Sequence, residues 1–484
     1  MMYPLRVAGL VALLWACGSD SEAPPEMDAS TAGTTAGTAG DGGNGGQAAT
    51  GGSGGMSGTG GSAGTGGTGG SGATGVDAGM DAGVTTDMPC EPFGPSEGNV
   101  IDVDPSMSAS LPEMVRNAVA GTTFRLADGT YTMTGDEAAR RLQIRALGIT
   151  LRSASGDAAA VIIDGEYTTQ EILGVHAGDF TLAEVTLTRA VDHCVHVSPN
   201  DMGPNVLNSR FYGVHLTDCG EQFLKANPNG ARTAFTDDGR VECSTFTMTD
   251  AGRPHVERTP GGCYTGGIDA HSARGWVVRA NTFEGIYCAG EGLAEHAVHF
   301  WSGSRDTLVE RNTILDCARG IGFGLVEDGA TRPYADNPFP GRYVGHYHGV
   351  IRNNVIVATI PYYDTGIELD QARGAAVLHN TILETDSATG RFSSIDARFS
   401  NTQVTIRNNL VRRLTVRDNA TTTSDHNLED VPLSYVVDAE NGDAHLTTEA
   451  SMAIDQGIAH DDSGLDIDGT PHRRGAPDLG ADER

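Results

Sequence analysis

Lysine is nearly absent from this chain of 484 residues: Lys225 is the only one, and arginine supplies the rest of its 32 basic side chains. Acidic residues number 63, giving a formal net charge of −31. With no cluster of cations to displace counterions from a phosphate backbone, nucleic acid is excluded as a partner. Aromatics make up 6% of the chain and Trp occurs three times, so an aromatic inside a patterned strand needs a reason. No CxxC pair and no HExxH spacing occurs, which removes zinc-thiolate and zincin chemistry.

The chain has 66 glycines, and they are unevenly spread. From about Asp28 to Val84 the sequence is nearly all Gly, Thr, Ser and Ala, as in GGSGGMSGTGGSAGTGGTGG. Such a segment cannot offset the entropy of ordering, so residues 18–89 read as a flexible tether. Before it, MMYPLRVAGLVALLWACGSDSE has Arg6, a short apolar run from Val7 to Ala16, and then Cys17. The run is too short for a membrane-spanning helix and reads as an export signal. Its LWAC ending resembles a bacterial lipobox. That resemblance implies lipidation of Cys17 after removal of the preceding residues, and Gly18 in place of Asp implies sorting to the outer membrane, facing the cell surface or the periplasm. An ordinary secretory signal cleaved nearby is the alternative.

The remainder, 90–484, contains seven cysteines: Cys90, Cys194, Cys219, Cys243, Cys263, Cys288 and Cys317. In an exported chain these are disulfide formers, and the odd count leaves one thiol over, assigned here to Cys90.

One short pattern returns through this part: VLNSRF, VECSTF, VVRANTF, VERNTI, IRNNVI, VLHNTI and IRNNLV. Its equivalent positions are Ser209, Ser244, Asn281, Asn312, Asn354, Asn380 and Asn409. The copies lie about 26 to 42 residues apart, a spread that excludes helical repeats of fixed length and suits coils whose turns accept insertions. Stacked coils bring equivalent residues to about 4.8 Å, so each Asn can bond the next. The pattern predicts an all-β, right-handed single-stranded parallel β-helix with an asparagine ladder.

Upstream of each copy runs an alternating strand: CVHVS, FLKAN, GIDAH, AVHFW, GIGFG, GIELD, SIDAR. With period two, one outward row reads His196, Lys225, Asp269, His299, Gly322, Glu368, Asp396. The second reads Ser198, Asn227, His271, Trp301, Gly324, Asp370, Arg398. Glu295 and His296 fall in the turn before Val298. Gly322 and Gly324 leave either a bare floor for a ligand or room for a covering loop. The insertions 250–267 and 326–349 are expected to wall the groove. In the second, Tyr334, Phe339, Tyr343 and Tyr347 either stack on sugar rings or anchor the loop.

The opening LPEMVRNAVAGTTFRLADGTYTM resembles the first coils of the pectin-lyase-like superfamily, and the closing SMAIDQGIAHDDSGLDIDGTPHRRGAPDLGADER resembles the last segment of many exported bacterial β-helix proteins. The resemblance covers nearly all of 95–484 and implies an N-terminal cap and a polysaccharide partner, acidic glycans included. It is distantly similar to the alginate lyase and chondroitinase B group, which implies a lysine base on this face and a nearby arginine. Lys225 then takes the C5 proton of a uronic acid, Arg274 or Arg305 neutralises the carboxylate, and His271 or His299 donates to the leaving oxygen. His196, Asn227, Asp269, Trp301, Glu368 and Asp370 are the expected substrate contacts. Where that group has a second basic residue, this chain has Asp269 and His271.

Bland readings stand beside each of these. Lys225 is otherwise a lysine in an ion pair with Asp269, and Arg274, Arg305 and Arg373, at equivalent turns, pair with acidic neighbours. A mixed set of Asp269, His271, Glu295, His296, His299, Glu368 and Asp370 lacks the spacing of a metal motif, so no metal is assigned; calcium through carboxylates ranks above a histidine-bound metal as an alternative. A carboxylate-pair hydrolase using Asp269 with Glu368 or Asp396 is disfavoured, because Asp269 and Glu368 lie three strands, about 14 Å, apart. The reading is a lipid-anchored monomer outside the cytoplasm that eliminates across a uronic-acid glycan; the alternative is a non-catalytic carbohydrate-binding or adhesive protein.

Overall fold

The computed structural model describes residues 90–96, 98–133, 140–256, 258–259, 262–290, 292–337 and 339–484. The signal, Cys17 and the tether lie outside the described residues.

Three long parallel sheets are visited in rotation. One coil shows the rule: Gly266–His271 lies in one sheet, Val277–Arg279 in the next and Thr282–Glu284 in the third, before His296–Trp301 returns to the first of them beside Gly266–His271. Repeated along the chain, this makes a right-handed parallel β-helix. The sheet holding Gly266–His271, called the front sheet below, has 10 strands from Leu142–Ile144 to Leu414–Val416.

Each inward position stacks on its own kind. On one wall Leu216, Phe246, Phe283, Ile314, Ile356 and Ile382 are successive register partners, and Phe246 stacks on Phe283 with ring centroids 4.6 Å apart. The helix Leu111–Arg116 closes the N-terminal end by burying Leu111 and Val115 in the same core.

The ladder occupies the tight turn between the other two sheets. The residue before each of the seven expected positions has positive φ: Asn208, Cys243, Ala280, Arg311, Asn353, His379 and Asn408, at 52° to 58°; Ser209 Oγ is buried without a partner, so the bonded rungs start at Ser244. A left-handed residue without glycine costs roughly 1–2 kcal/mol, and the rung offsets it. Asn354 accepts at Oδ1 from the Asn312 backbone N–H at 3.0 Å and from Asn312 Nδ2 at 2.9 Å. Its own Nδ2 donates to Asn380 Oδ1 at 2.9 Å and to the Val309 carbonyl at 3.0 Å. The run extends past Asn409 to Asn427, which accepts from Asn409 Nδ2 at 2.8 Å. His426, at φ 52°, precedes it, but DHNLED lacks the apolar residue three places earlier that marked the other copies.

Cys90 is paired, contrary to expectation: it bonds Cys243, while Cys194 joins Cys219 and Cys263 joins Cys288. Among the described residues the free thiol is Cys317, buried. The long reach from 90 to 243 is possible because the N-terminal segment lies across successive coils, with Gly94 on Arg152, Phe93 on Glu184 and Glu91 on Tyr212, a closeness invisible in sequence separation.

The tail is held by polar contacts. Asn353 donates to Ser463 O at 2.7 Å, and Asp466 in the acidic run 461–469 is buried. Nearby, His445 Nδ1 lies 2.5 Å from Asp443 Oδ1 and Nε2 lies 3.1 Å from Asp468 Oδ2.

Two outcomes are expected. Asn354→Ala orphans several buried groups and should lower unfolding free energy by about 2–4 kcal/mol, against about 1 kcal/mol for the half-buried last rung in Asn427→Ala, measured by urea denaturation. The hydrogen bond to Asp443, opposed by partial burial, raises the His445 pKa to about 9. Its stabilisation is therefore complete below the unfolded value near 6.5 and is lost as pH rises through about 9. His445→Gln should lower the urea midpoint at pH 6 and leave it unchanged at pH 10.

Candidate functional site

The front sheet carries on its outer side the rows that alternation predicts. His196, Lys225, Asp269, His299, Gly322, Glu368 and Asp396 are consecutive register partners, and His271 pairs with Trp301.

At the centre stands one carboxylate. Asp269 is buried; its Oδ2 accepts from Lys225 Nζ and lies 3.1 Å from His271 Nε2, and its Oδ1 accepts from Trp301 Nε1 at 2.8 Å. Burial disfavours its charge, yet Lys225 and then His271 outweigh that and hold its pKa well below the usual carboxylate range. Lys225, 5% exposed, also donates to Tyr264 Oη at 3.3 Å. Burial lowers the pKa of this lysine, but the Asp269 charge more than reverses that and raises the pKa above its ordinary value. Lys225 is thus a locked ammonium, the ion-pair alternative, and has no lone pair with which to take a proton at neutral pH.

His271 has the opposite character. Burial lowers its pKa, partly countered by Asp269, to about 4, so its ring is neutral. With Nε2–H donated to an ionised Asp269, the proton is on Nε2 and the Nδ1 lone pair is left over. Its side chain, 20% exposed, packs edge-on to Trp301 at 4.3 Å between centroids.

On one side, His196 Nδ1 lies 2.7 Å from Glu171 Oε1 and its Nε2 lies 3.3 Å from Asn227 Nδ2. On the other, Glu368 accepts from His296 Nε2 at 2.9 Å and from Arg319 Nη1 at 3.3 Å. Burial opposes its charge, but these two partners depress its pKa far below normal. Asp370 is 1% exposed, and burial followed by the nearby Glu368 raises its pKa strongly.

The bare floor is filled. A Cβ on Gly322 would lie 2.7 Å from His296 Nε2, and one on Gly324 would lie 1.6 Å from Asp370 O. His296 starts the strand instead of lying in a turn. Ala297 and Val298 are both in the core, so alternation breaks there and His296 reaches the same side as His299. The insertion aromatics anchor their loop: Tyr334 donates to Gly303 O at 2.8 Å, and Phe339 stacks on the buried Tyr347.

Arg274 and Arg305 are bridge partners at the turn leaving the front sheet and share Asp306, at 3.4 and 3.0 Å; Arg305 also donates to Asp336 at 2.9 Å. These acids, together with the Tyr334 ring under Arg305, engage the two guanidinium groups at this turn. Two residues that alternation missed do touch or flank the Lys225 group. Tyr264 comes from an insertion with no period to read. Arg232, between strands, places Nη2 2.7 Å from Ser272 Oγ and 3.0 Å from Ser302 Oγ, beside His271 and Trp301. A cavity of about 620 Å³ lined by Phe93, Arg152, Arg210 and Tyr212 lies elsewhere and contains none of the expected residues.

Breaking the Lys225–Asp269 pair should be costly, because it leaves a buried charge. Lys225→Met is expected to destabilise by about 3–5 kcal/mol, and adding Asp269→Asn should recover most of that in a double-mutant cycle followed by urea unfolding.

No family model and no curated protein matches the chain. Among solved structures it is similar to the pectate lyase Pel9A, at 14% identity over 81% of this chain and 98% of that one, with a TM-score of 0.43. It is also similar to a rhamnogalacturonan lyase, at 14% identity over 73% and 98% with a TM-score of 0.47, and to PfbA, a surface adhesin of Streptococcus pneumoniae, at 11% over 67% and 88% with a TM-score of 0.38. At such identities the likeness is one of fold.

Proposed function

We propose that this chain handles polysaccharide outside the cytoplasm and that its front sheet performs β-elimination on a uronic-acid glycan, with His271 in place of Lys225 as the base. The observation that carries this reading is the triply held Asp269: a fixed carboxylate orients a neutral imidazole and leaves Nδ1 as its lone-pair nitrogen. Arg232 neutralises the uronate carboxylate, which acidifies the C5 proton, and Trp301 offers its ring to a sugar face. His271 Nδ1 takes the C5 proton, the electron pair becomes the C4–C5 double bond, the C4–O bond breaks, and the leaving oxygen takes a proton from solvent.

Non-catalytic carbohydrate binding or adhesion is the second reading, favoured by the 5% or lower exposure of Lys225, Asp269 and His299. Hydrolysis is less well supported: Asp269 and Glu368 are held ionised, and Asp396 is clasped by Arg417 at 2.8 to 3.1 Å.

Three disulfides fit an oxidising compartment, and we place the protein at the outer membrane through a lipid on Cys17. Loss of radiolabelled palmitate incorporation in Cys17→Ser checks that placement.

On a panel of alginate, pectate and glycosaminoglycan polymers, ultraviolet absorbance of the unsaturated product should appear with the parent protein and fall by at least about 100-fold in His271→Ala, with glycan affinity largely kept. Binding without absorbance on every polymer would favour the second reading.

A further inference from the structure

Beside the Asp269 cluster lies a second group of side chains that elimination does not use. One nitrogen each of His296 and His299 and one Glu295 oxygen lie within 4.8 Å of one another. Both imidazoles are 1% exposed, and both Nδ1 atoms are without a hydrogen-bond partner. Buried ring nitrogens are normally satisfied, so two adjacent orphans call for an explanation.

The opposite nitrogens supply it. His296 Nε2 bonds Glu368 Oε2 at 2.9 Å, and His299 Nε2 bonds the Gly324 carbonyl at 2.9 Å. Each acceptor fixes the proton on Nε2 and makes Nδ1 the lone-pair atom, the outer-shell arrangement of a metal-bound histidine. His299 Nδ1 stands 3.7 Å from Glu295 Oε2 and 3.7 Å from Asp269 Oδ1. That is too long for a hydrogen bond and close to the separation of roughly 3.4 Å expected between two ligands of one tetrahedral ion.

Charge points the same way. Three carboxylates, Asp269, Glu295 and Glu368, face two cations, Lys225 and Arg319, leaving one negative charge over. The break in alternation at Ala297 and the missing side chain at Gly322 both serve to place His296 here.

We propose that Glu295, His296 and His299 bind a divalent transition-metal ion of the zinc class, with imidazole nitrogen as two of three protein donors and a fourth position open. Two nitrogen donors favour such an ion over calcium or magnesium. The site stands independently of the elimination reading.

The test uses the full chain in a His445→Ala background, which removes the second histidine and carboxylate cluster among the described residues, at His445, Asp468 and Asp482. After dialysis against a chelator, Zn²⁺ and Co²⁺ are titrated by calorimetry, and Co²⁺ also by its visible absorption and by quenching of Trp301, whose ring stacks on His299 at 5.7 Å. One equivalent is expected to bind, with at least about 100-fold weaker affinity in His296→Ala and in His299→Ala. Glu295→Gln, at a half-buried turn residue, keeps the result readable if a histidine variant fails to fold; its affinity should fall about 10-fold or more. Absence of binding by either ion, or binding that survives Glu295→Gln and both histidine changes, would overturn the site.

Discussion

The structure depends on coils repeating at the spacing of a parallel β-ladder. Once Val278 pairs with Val309 and Val309 with Ile351, every other position on those coils is also brought next to its equivalent. Like then stacks on like, and the sequence can use identical residues as a continuous device. The asparagine ladder is that device at the tightest turn. Each amide joins two neighbours and fills backbone groups that would otherwise be buried without partners. It also ties down left-handed residues such as Ala280 and Arg311, whose conformation is unfavourable by itself.

The same stacking governs the front sheet. Strands about 4.8 Å apart bring Lys225, Asp269 and His299 into a row, where loops around the face lower the effective dielectric. In such surroundings a lysine beside an aspartate becomes a fixed cation and a histidine beside the same aspartate becomes a fixed neutral base. Their roles follow from neighbours more than from residue type, which is why Lys225, unusual in sequence, proves to be the group that holds Asp269 in place.

The fold was legible because its signal is repeated. No single IRNN segment means much, but copies with consistent apolar flanks predict stacked turns and therefore a solenoid. The outward rows were legible for the same reason, since alternation along AVHFW and GIDAH continues to the end of each strand. Legibility failed where the period failed. His296 lies beyond consecutive inward residues, Asn427 lacks the usual flank, and Tyr264 and Arg232 belong to segments without any repeat. Gly322 and Gly324 showed that space was needed but not that an imidazole and a backbone carbonyl occupied it.

The sequence by itself determined the β-helix, its ladder from Ser244 to Asn409, and the set of side chains on the front face, because each is a local pattern multiplied by coil repetition. Only the tertiary structure decided that Cys90 meets Cys243, that Arg274 and Arg305 turn to Asp306, and that His296 and His299 present unpartnered nitrogens to Glu295. These outcomes rest on where insertions of unequal length lie and on which buried partner reaches a charge first. Neither is periodic, and both depend on contacts between residues far apart in the chain.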